Sequence, residues 1–331
     1  MTAPASTPPL LQITDLHTWF PIKRGIFSHT VGYVRALDGV SVHVDPGETL
    51  ALVGESGCGK TTLARTVMRL DPARSGSVVF DGVDILALSP HDLRPIRREL
   101  QMVFQDPFSS LNPRLTVLEI VTEGLLAHGM IQARQKESEA VRLLAEVGMG
   151  PDALHRYPHE FSGGQRQRIS VARALSMRPR MIICDEAVSA LDVSVQAQVL
   201  NLLIALREKY HLSYVFISHD LSVVRQISER VAVMYLGLIA EQGRTGDVID
   251  RPCHPYTRAL VSAVPRAGEV KKERMILTGD VPSPARPPSG CRFHPRCPYA
   301  IPECSRAEPQ LEPVNGRDPS QLAACIRRND I

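Results

Sequence analysis

Gly54-Glu55-Ser56-Gly57-Cys58-Gly59-Lys60-Thr61 follows the spacing G-x-x-x-x-G-K-S/T. The run before it, Thr49-Leu50-Ala51-Leu52-Val53, is apolar and stops at Gly54, and the run after it, Thr61 to Leu70, is helix-forming. A strand, a glycine-rich loop and a helix in that order form the arrangement in which backbone N–H groups wrap phosphate oxygens. The positive helix end and Lys60 then meet the β and γ charges. The candidate cofactor-binding positions are Gly54, Glu55, Ser56, Gly57, Cys58, Gly59, Lys60, Thr61 and Thr62, with the Thr61 hydroxyl a ligand for Mg²⁺. Cys58 fills a variable position and needs no redox role.

Two further runs, Met181-Ile182-Ile183-Cys184 and Tyr214-Val215-Phe216-Ile217, are short, continuous and rich in branched residues, as buried parallel strands are. Helical patterns separate them, so the fold class is α/β with a parallel sheet. The first run delivers Asp185 and Glu186 to its carboxyl end, where open α/β sheets bind ligands. Asp185 is placed to hold Mg²⁺ through water. Glu186 is the candidate general base that polarises the water attacking a γ-phosphate.

The 331 residues suit about two domains on a prior of roughly 150 residues each. We expect a disordered tail over 1–9, a nucleotide-binding domain over 10–250 with a helical subdomain at about 106–165, and an irregular, proline-rich extension over 251–331. Hydrophobic residues at 44% and charged residues at 22% are ordinary for a globular protein. No run approaches the ~18 apolar residues that span a bilayer, and no export signal opens the chain, so a cytoplasmic protein tethered by a partner is expected. A net charge of +3 and a pI near 8.5 argue against a nucleic-acid partner, and Arg94, Arg97 and Arg98 read as a solvated helix face.

Phe161-Ser162-Gly163-Gly164-Gln165 stands just before a helix and about twenty residues ahead of Asp185, and it resembles the ABC signature L-S-G-G-Q with Phe for Leu. Ser162, Gly163, Gly164 and Gln165 would form a second anion site at a helix N-terminus. The resemblance implies that two such domains pair head to tail, each signature closing on the other's ATP. It further implies that Gln105 is the Q-loop glutamine, acting at Mg²⁺ and in coupling. Ser189-Ala190-Leu191-Asp192 would be the D-loop, with Asp192 at the nucleotide, and His219 the switch histidine at the γ-phosphate. Lys60, Gln105, Glu186 and His219 are thus the catalytic candidates. For the adenine the candidates are Trp19, Phe20 and Tyr33, with Phe20 favoured, and the segment Pro21 to Val34 reads as an insertion. The family's usual proline after the glutamate is replaced by Ala187, which bears on the local loop geometry.

Gln105-Asp106-Pro107-Phe108-Ser109-Ser110-Leu111-Asn112-Pro113-Arg114, Tyr157-Pro158-His159 and His254-Pro255-Tyr256-Thr257-Arg258-Ala259-Leu260 are similar to segments of the dipeptide/oligopeptide/nickel importer group. Tyr33-Val34-Arg35-Ala36-Leu37-Asp38-Gly39-Val40 and the proline-free Ser189-Ala190-Leu191 resemble its second ATPase subunit. The resemblance implies a partner ATPase subunit in a heterodimer, two membrane permeases, and an extracytoplasmic substrate-binding protein that acts indirectly. The chain would sit at the cytoplasmic face of the membrane and never touch the cargo. A soluble ABC ATPase in nucleic-acid or ribosome metabolism shares the motifs and is the alternative reading.

Seven cysteines are present, and Cys291, Cys297, Cys304 and Cys325 gather in the extension with spacing C-x5-C-x6-C-x20-C. Structural zinc usually shows paired C-x2-4-C spacing, while four thiolates with wider gaps suit an iron–sulfur cluster. The stretch from Gly290 to Pro298 resembles the tail that carries a 4Fe–4S cluster in related peptide importers, with zinc and free buried thiols as the other readings.

Overall fold

The computed structural model describes residues 8–25, 28–106, 110–189, 191–264, 275, 277 and 279–330. Residues 1–7 of the expected disordered tail lie outside this set, as do 107–109 and 190 of the motif segments quoted above. The chain divides into two compact units, Met1–Ala87 with Ser218–Ile331, and Leu88–Ile217.

The first unit opens with strands β1 (Leu11–Arg24) and β2 (His29–Val44), one long antiparallel hairpin. The segment that reads as an insertion in the sequence is the outer part of this hairpin: Phe20 faces Val34 and Pro21 faces Tyr33. Strand β3 (Thr49–Val53) is buried along its whole length and leads into helix α1 (Lys60–Val67). That helix stops three residues short of Leu70 because Arg69 turns left-handed at φ 51°. The Leu70 N–H then reaches back to the Arg65 carbonyl at 2.8 Å. Strand β4 (Ser75–Phe80) pairs with β1 from Leu11 to His17 only, and β5 (Val83–Asp84) completes the sheet. Beyond His17, β1 therefore has one bonded neighbour, a setting in which a proline without an N–H is tolerated at position 21.

The second unit contains α2 (Leu93–Glu99), β6 (Leu100–Val103), α3 (Val117–Ala127), α4 (Lys136–Glu146), α5 (Gly163–Ser176), β7 (Met181–Asp185), α6 (Val193–Tyr210) and β8 (Ser213–Ile217). Strands β8, β7 and β6 run parallel in that order, and Val103 lies beside Cys184, which lies beside Phe216. Strands β7 and β8 are buried throughout, which accounts for their continuous apolar sequences. Helices α3, α4 and α5 pack on one another, and α3 starts at a reciprocal cap between Thr116 and Glu119. The arginines of α2 lie exposed.

The chain then returns to the first unit through α7 (Leu221–Ile227), β9 (Arg230–Tyr235), β10 (Leu238–Arg244), α8 (Thr245–Asp250) and α9 (Pro255–Ser262). Two short strands follow, β11 (Glu312–Pro313) and β12 (Leu322–Ala323). Within this unit the order is β11-β12-β10-β9-β3, with β9 parallel to β3 and the other pairs antiparallel. The proline-rich extension is thus stitched onto the sheet that contains β3. Buried Glu241 on β10 reinforces the seam, accepting from the N–H groups of Cys253 (2.9 Å) and His254 (2.8 Å) and from Gln321 Nε2 (3.0 Å).

These contacts give a physical role to His254-Pro255-Tyr256. His254 caps α9, its Nδ1 accepting from the Tyr256 N–H at 3.1 Å, and Pro255 occupies the first helical turn where no N–H is needed. Burial pushes the His254 imidazole down to about 4 from 6.5. The folded protein keeps this ring neutral where the unfolded chain takes up a proton. Its contribution to stability is therefore complete above about pH 6.5 and is lost as pH falls from there toward 4, at up to about 1.4 kcal/mol per unit. The Glu241 carboxyl, raised by its burial, has the opposite sign. In denaturant titrations at about pH 7 and about pH 5, His254→Asn, which keeps a capping acceptor, should lose less stability on acidification than the parent chain. An equal loss in both would show that His254 stays uncharged in the unfolded chain or is charged when folded.

Candidate functional site

The phosphate loop of the first unit is shaped by close backbone approach. A Cβ at Gly54 would lie 2.3 Å from the Met234 carbonyl oxygen, and one at Gly59 would lie 2.5 Å from the Ala36 carbonyl oxygen. Both residues also have positive φ, 153° and 114°, so glycine is required twice over. The Cys58 carbonyl accepts from the Gly237 N–H at 2.9 Å, and the Cys58 N–H donates to the Glu55 carbonyl at 3.3 Å. Lys60 is only 5% exposed. Its ammonium is curled into the loop, donating to the carbonyls of Gly54 (2.8 Å) and Glu55 (3.0 Å). Helix α1 begins at Lys60 behind Gly59, which makes no side-chain cap. Burial pushes the Cys58 thiol up in spite of Lys60, so it remains protonated.

Two residues far along the chain reach this loop; both lie in segments quoted above for the family resemblance, which gave neither a role at the loop. The Glu55 N–H donates to the hydroxyl of buried Tyr256 at 2.8 Å. The Glu55 carboxylate accepts from both terminal nitrogens of Arg296, at 2.8 and 3.2 Å. His219 is exposed and follows Ser218, whose N–H donates to the Leu52 carbonyl at 3.1 Å. That bond sets His219 near the end of β3 from which the phosphate loop departs. Among the aromatic candidates, Trp19 is committed: its Nε1 donates to Asp38 at 2.9 Å, and its ring lies under the guanidinium groups of Arg35 and Arg74. Phe20 is half-buried and lies opposite Val34 across the hairpin.

In the second unit, parallel pairing of β6 with β7 sends their carboxyl ends in one direction. Asp185 closes β7 and is buried. Glu186 follows at φ 45°, and its carboxylate accepts from Gln105 Nε2 at 2.8 Å. The turn after Glu186 is closed by Ser189, whose N–H and hydroxyl both donate to the Glu186 carbonyl at 3.1 and 3.0 Å. Ala187 is buried within it. This turn is held by serine bonds where a proline ring would otherwise restrict it.

Ser162 and Gln165 cap α5 reciprocally, Gln165 N–H to Ser162 Oγ at 3.4 Å and Ser162 N–H to Gln165 Oε1 at 3.0 Å. Both are exposed, and with Gly164 they border a cleft of about 340 Å³. Gly163 comes next along α5, and a Cβ there would meet Leu191 at an ordinary 3.5 Å. A Cβ at Gly164 would fall 2.2 Å from Val195, so glycine there lets α5 and α6 approach. Asp192 stands at the start of α6, its carbonyl accepting from Gln196. Arg166 donates to the carbonyls of Pro158 (2.7 Å) and His159 (3.2 Å), tying the Tyr157-Pro158-His159 segment to the signature helix.

Cys291, Cys297, Cys304 and Cys325 line one cavity with His254, Phe293, His294 and Tyr299, and among the described residues no carboxylate joins them. Burial, reinforced by the neighbouring thiols, pushes Cys291 and Cys325 up to about 11 and raises Cys297 as well. Among the described residues no group of three or more His, Cys, Asp or Glu side chains is disposed to hold a metal ion.

Comparison with known proteins places these features in context. The family model described as "ABC transporter" matches residues 37–189, and that described as "Oligopeptide/dipeptide transporter, C-terminal region" matches 240–304. The chain is 52% identical to the oligopeptide transport ATP-binding protein AppF of Bacillus subtilis (strain 168), over 98% of this chain and 99% of that one. It is 52% identical to the probable peptide ABC transporter ATP-binding protein y4tS of Sinorhizobium fredii, over 92% and 87%. Among solved structures, the ATP-binding cassette MJ0796, dimeric in a post-hydrolysis state bound to ADP and Pi, superposes with a TM-score of 0.63. It shows 26% identity over 71% of this chain and 98% of that one. The cbiO1 protein of Clostridium perfringens, part of the ABC transporter complex cbiONQ, gives a TM-score of 0.62 at 25% identity, over 73% and 91%.

Proposed function

Because the chain belongs to the ABC transporter ATP-binding proteins, in the group with the oligopeptide/dipeptide transporter C-terminal region, we propose that it binds and hydrolyses ATP to drive import of dipeptides or oligopeptides. The observation that carries this reading is the presence of both regions on one chain, aligned nearly end to end with an oligopeptide transport ATP-binding protein. The same observation favours it over a soluble ATPase of nucleic-acid or ribosome metabolism.

In this reading the amides of the loop from Gly54 to Thr62, together with Lys60, take the triphosphate, and Thr61 and Asp185 serve Mg²⁺. Glu186 is the general base. Its bond to Gln105 supports a role for that glutamine in orienting the base as well as meeting the metal. His219 acts at the γ-phosphate, and Phe20 stacks on the adenine. The exposed cap of Ser162 and Gln165, the glycines between them and Asp192 serve the nucleotide of a partner ATPase subunit. The resulting dimer docks on two permeases at the cytoplasmic face of the membrane, fed by an extracytoplasmic binding protein. Among the described residues no helix is long and apolar enough to cross a membrane, in keeping with a peripheral subunit.

The extension is read as the seat of a 4Fe–4S cluster. What supports the reading is that four thiols line one cavity, with His254 and His294 beside them and no carboxylate among the described residues of its lining. Thiols that resist ionisation because they are buried together are stabilised as thiolates by cationic iron. Cys291, Cys297, Cys304 and Cys325 would hold the cluster, which when bound cross-links a proline-rich segment that has little core of its own. Anaerobically purified protein should contain iron and acid-labile sulfide near the ratio of such a cluster. Stoichiometric zinc without iron would overturn this part of the reading.

The hydrolytic assignment is tested with Glu186→Gln in a complex reconstituted with its permeases. ATP binding should be retained while ATP turnover and labelled-peptide uptake fall together by about 10²–10⁴-fold, the usual loss with a general base. Turnover close to that of the parent complex would remove Glu186 from the role.

A further inference from the structure

We infer that Arg296 is a positioning residue for nucleotide binding: from the C-terminal extension it fixes Glu55 of the phosphate loop, so that the turn between Cys291 and Cys297 sets the shape in which the loop receives a triphosphate. The inference rests on the reading of residues 54–61 as the nucleotide site and goes beyond it by assigning part of that site to the extension.

The geometry is specific. Arg296 meets Glu55 through both terminal nitrogens, at 2.8 and 3.2 Å, the two-pronged contact that fixes orientation as well as charge. The Arg296 side chain is 8% exposed and that of Glu55 26%, so the pair is largely shielded from solvent. The Tyr235 hydroxyl accepts from the same Arg296 nitrogen at 3.4 Å. Glu55 is thus held twice, by its carboxylate through Arg296 and by its N–H through Tyr256. Its carbonyl accepts from the Lys60 ammonium at 3.0 Å. The orientation of Glu55 therefore passes directly to the lysine that meets the phosphates.

Arg296 is itself held in place. It ends a short 3-10 turn, His294–Arg296, and its N–H donates to the Phe293 carbonyl at 3.0 Å. Phe293 is buried against Tyr235 and Tyr256, with ring centres 5.3 and 5.4 Å apart. Arg292, on the same turn, donates to the Leu236 carbonyl and to Asp38. Two arginines therefore pin one cysteine-bounded turn to the nucleotide-binding sheet. There is also an electrostatic reason for the pair. A carboxylate in a loop that cradles a polyanion opposes binding, and the Arg296 guanidinium neutralises it.

The test is equilibrium binding of a fluorescent ATP analogue, mant-ATP with Mg²⁺, to the full chain, paired with ATPase kinetics of the assembled complex. Arg296→Gln should weaken binding by about tenfold, the loss expected when a shielded charge pair is broken. The change should fall on KM more than on kcat. Glu55→Gln combined with Arg296→Gln should recover most of the lost affinity, because the uncompensated carboxylate is gone. Arg296→Lys, which keeps the charge but not the fork, should fall between the parent and Arg296→Gln, and it carries the test if Arg296→Gln does not fold. Parental affinity in Arg296→Gln and Arg296→Lys, with only a lowered melting temperature, would overturn the inference and leave the pair a structural tie. Lys60→Ala separates the two levels: if it binds mant-ATP as the parent does, the nucleotide-site reading itself fails.

Discussion

A loop that wraps a triphosphate must keep its inward amides clear of its own acceptors, so it cannot hold its shape by internal hydrogen bonds alone. The shape has to be imposed from outside. Here β3 delivers the loop, and Gly54 and Gly59 allow the carbonyls of Met234 and Ala36 to press against it. Gly237, Tyr256 and Arg296 bind what remains of its outer surface. The phosphate-binding motif is therefore one wall of a larger construction whose other walls come from β2, β9, α9 and the cysteine-bearing extension.

The electrostatics follow the same plan. Lys60, nearly sealed from solvent, donates to two carbonyls of its own loop. The charges around it are settled locally: Arg296 answers Glu55, Arg292 answers Asp38, and burial keeps the Cys58 thiol protonated. The Asp38 carboxyl is held below the usual carboxylate range against the cost of its burial, by Arg292 first and by His17 and Trp19 after it. In the second unit, Glu186 is fixed by Gln105 on a left-handed turn that Ser189 closes. A left-handed backbone at that position is held by two hydrogen bonds from Ser189 to one carbonyl.

What the sequence makes legible here is what is encoded locally. Fully buried strands announce themselves as continuous apolar runs, which is why β3, β7 and β8 could be read with the loops that follow them. The Ser162–Gln165 cap is likewise a local signal, four residues long. The β1–β2 hairpin is half exposed and interrupted by Pro21 and register shifts, so its alternation is blurred and its outer part does not announce itself as strand. The roles of Tyr256 and Arg296 depend on contacts 201 and 241 positions apart, which no periodicity carries. One local clue was available: His254 followed by Pro255 is a helix start, and it places Tyr256 on a fixed first turn. Among the described residues of the extension the elements are short, as its prolines require, but prolines carry no information about the surface that the extension covers.

Held together by Arg296 and Tyr256, the phosphate loop and the extension should respond to nucleotide as one body. Hydrogen–deuterium exchange on the full chain, with and without saturating ATP and Mg²⁺, addresses it most directly. The account predicts slower exchange in the loop from Gly54 to Thr62 and also in the turn from Gly290 to Cys297. Protection confined to the loop, with exchange in the turn unchanged, would contradict it.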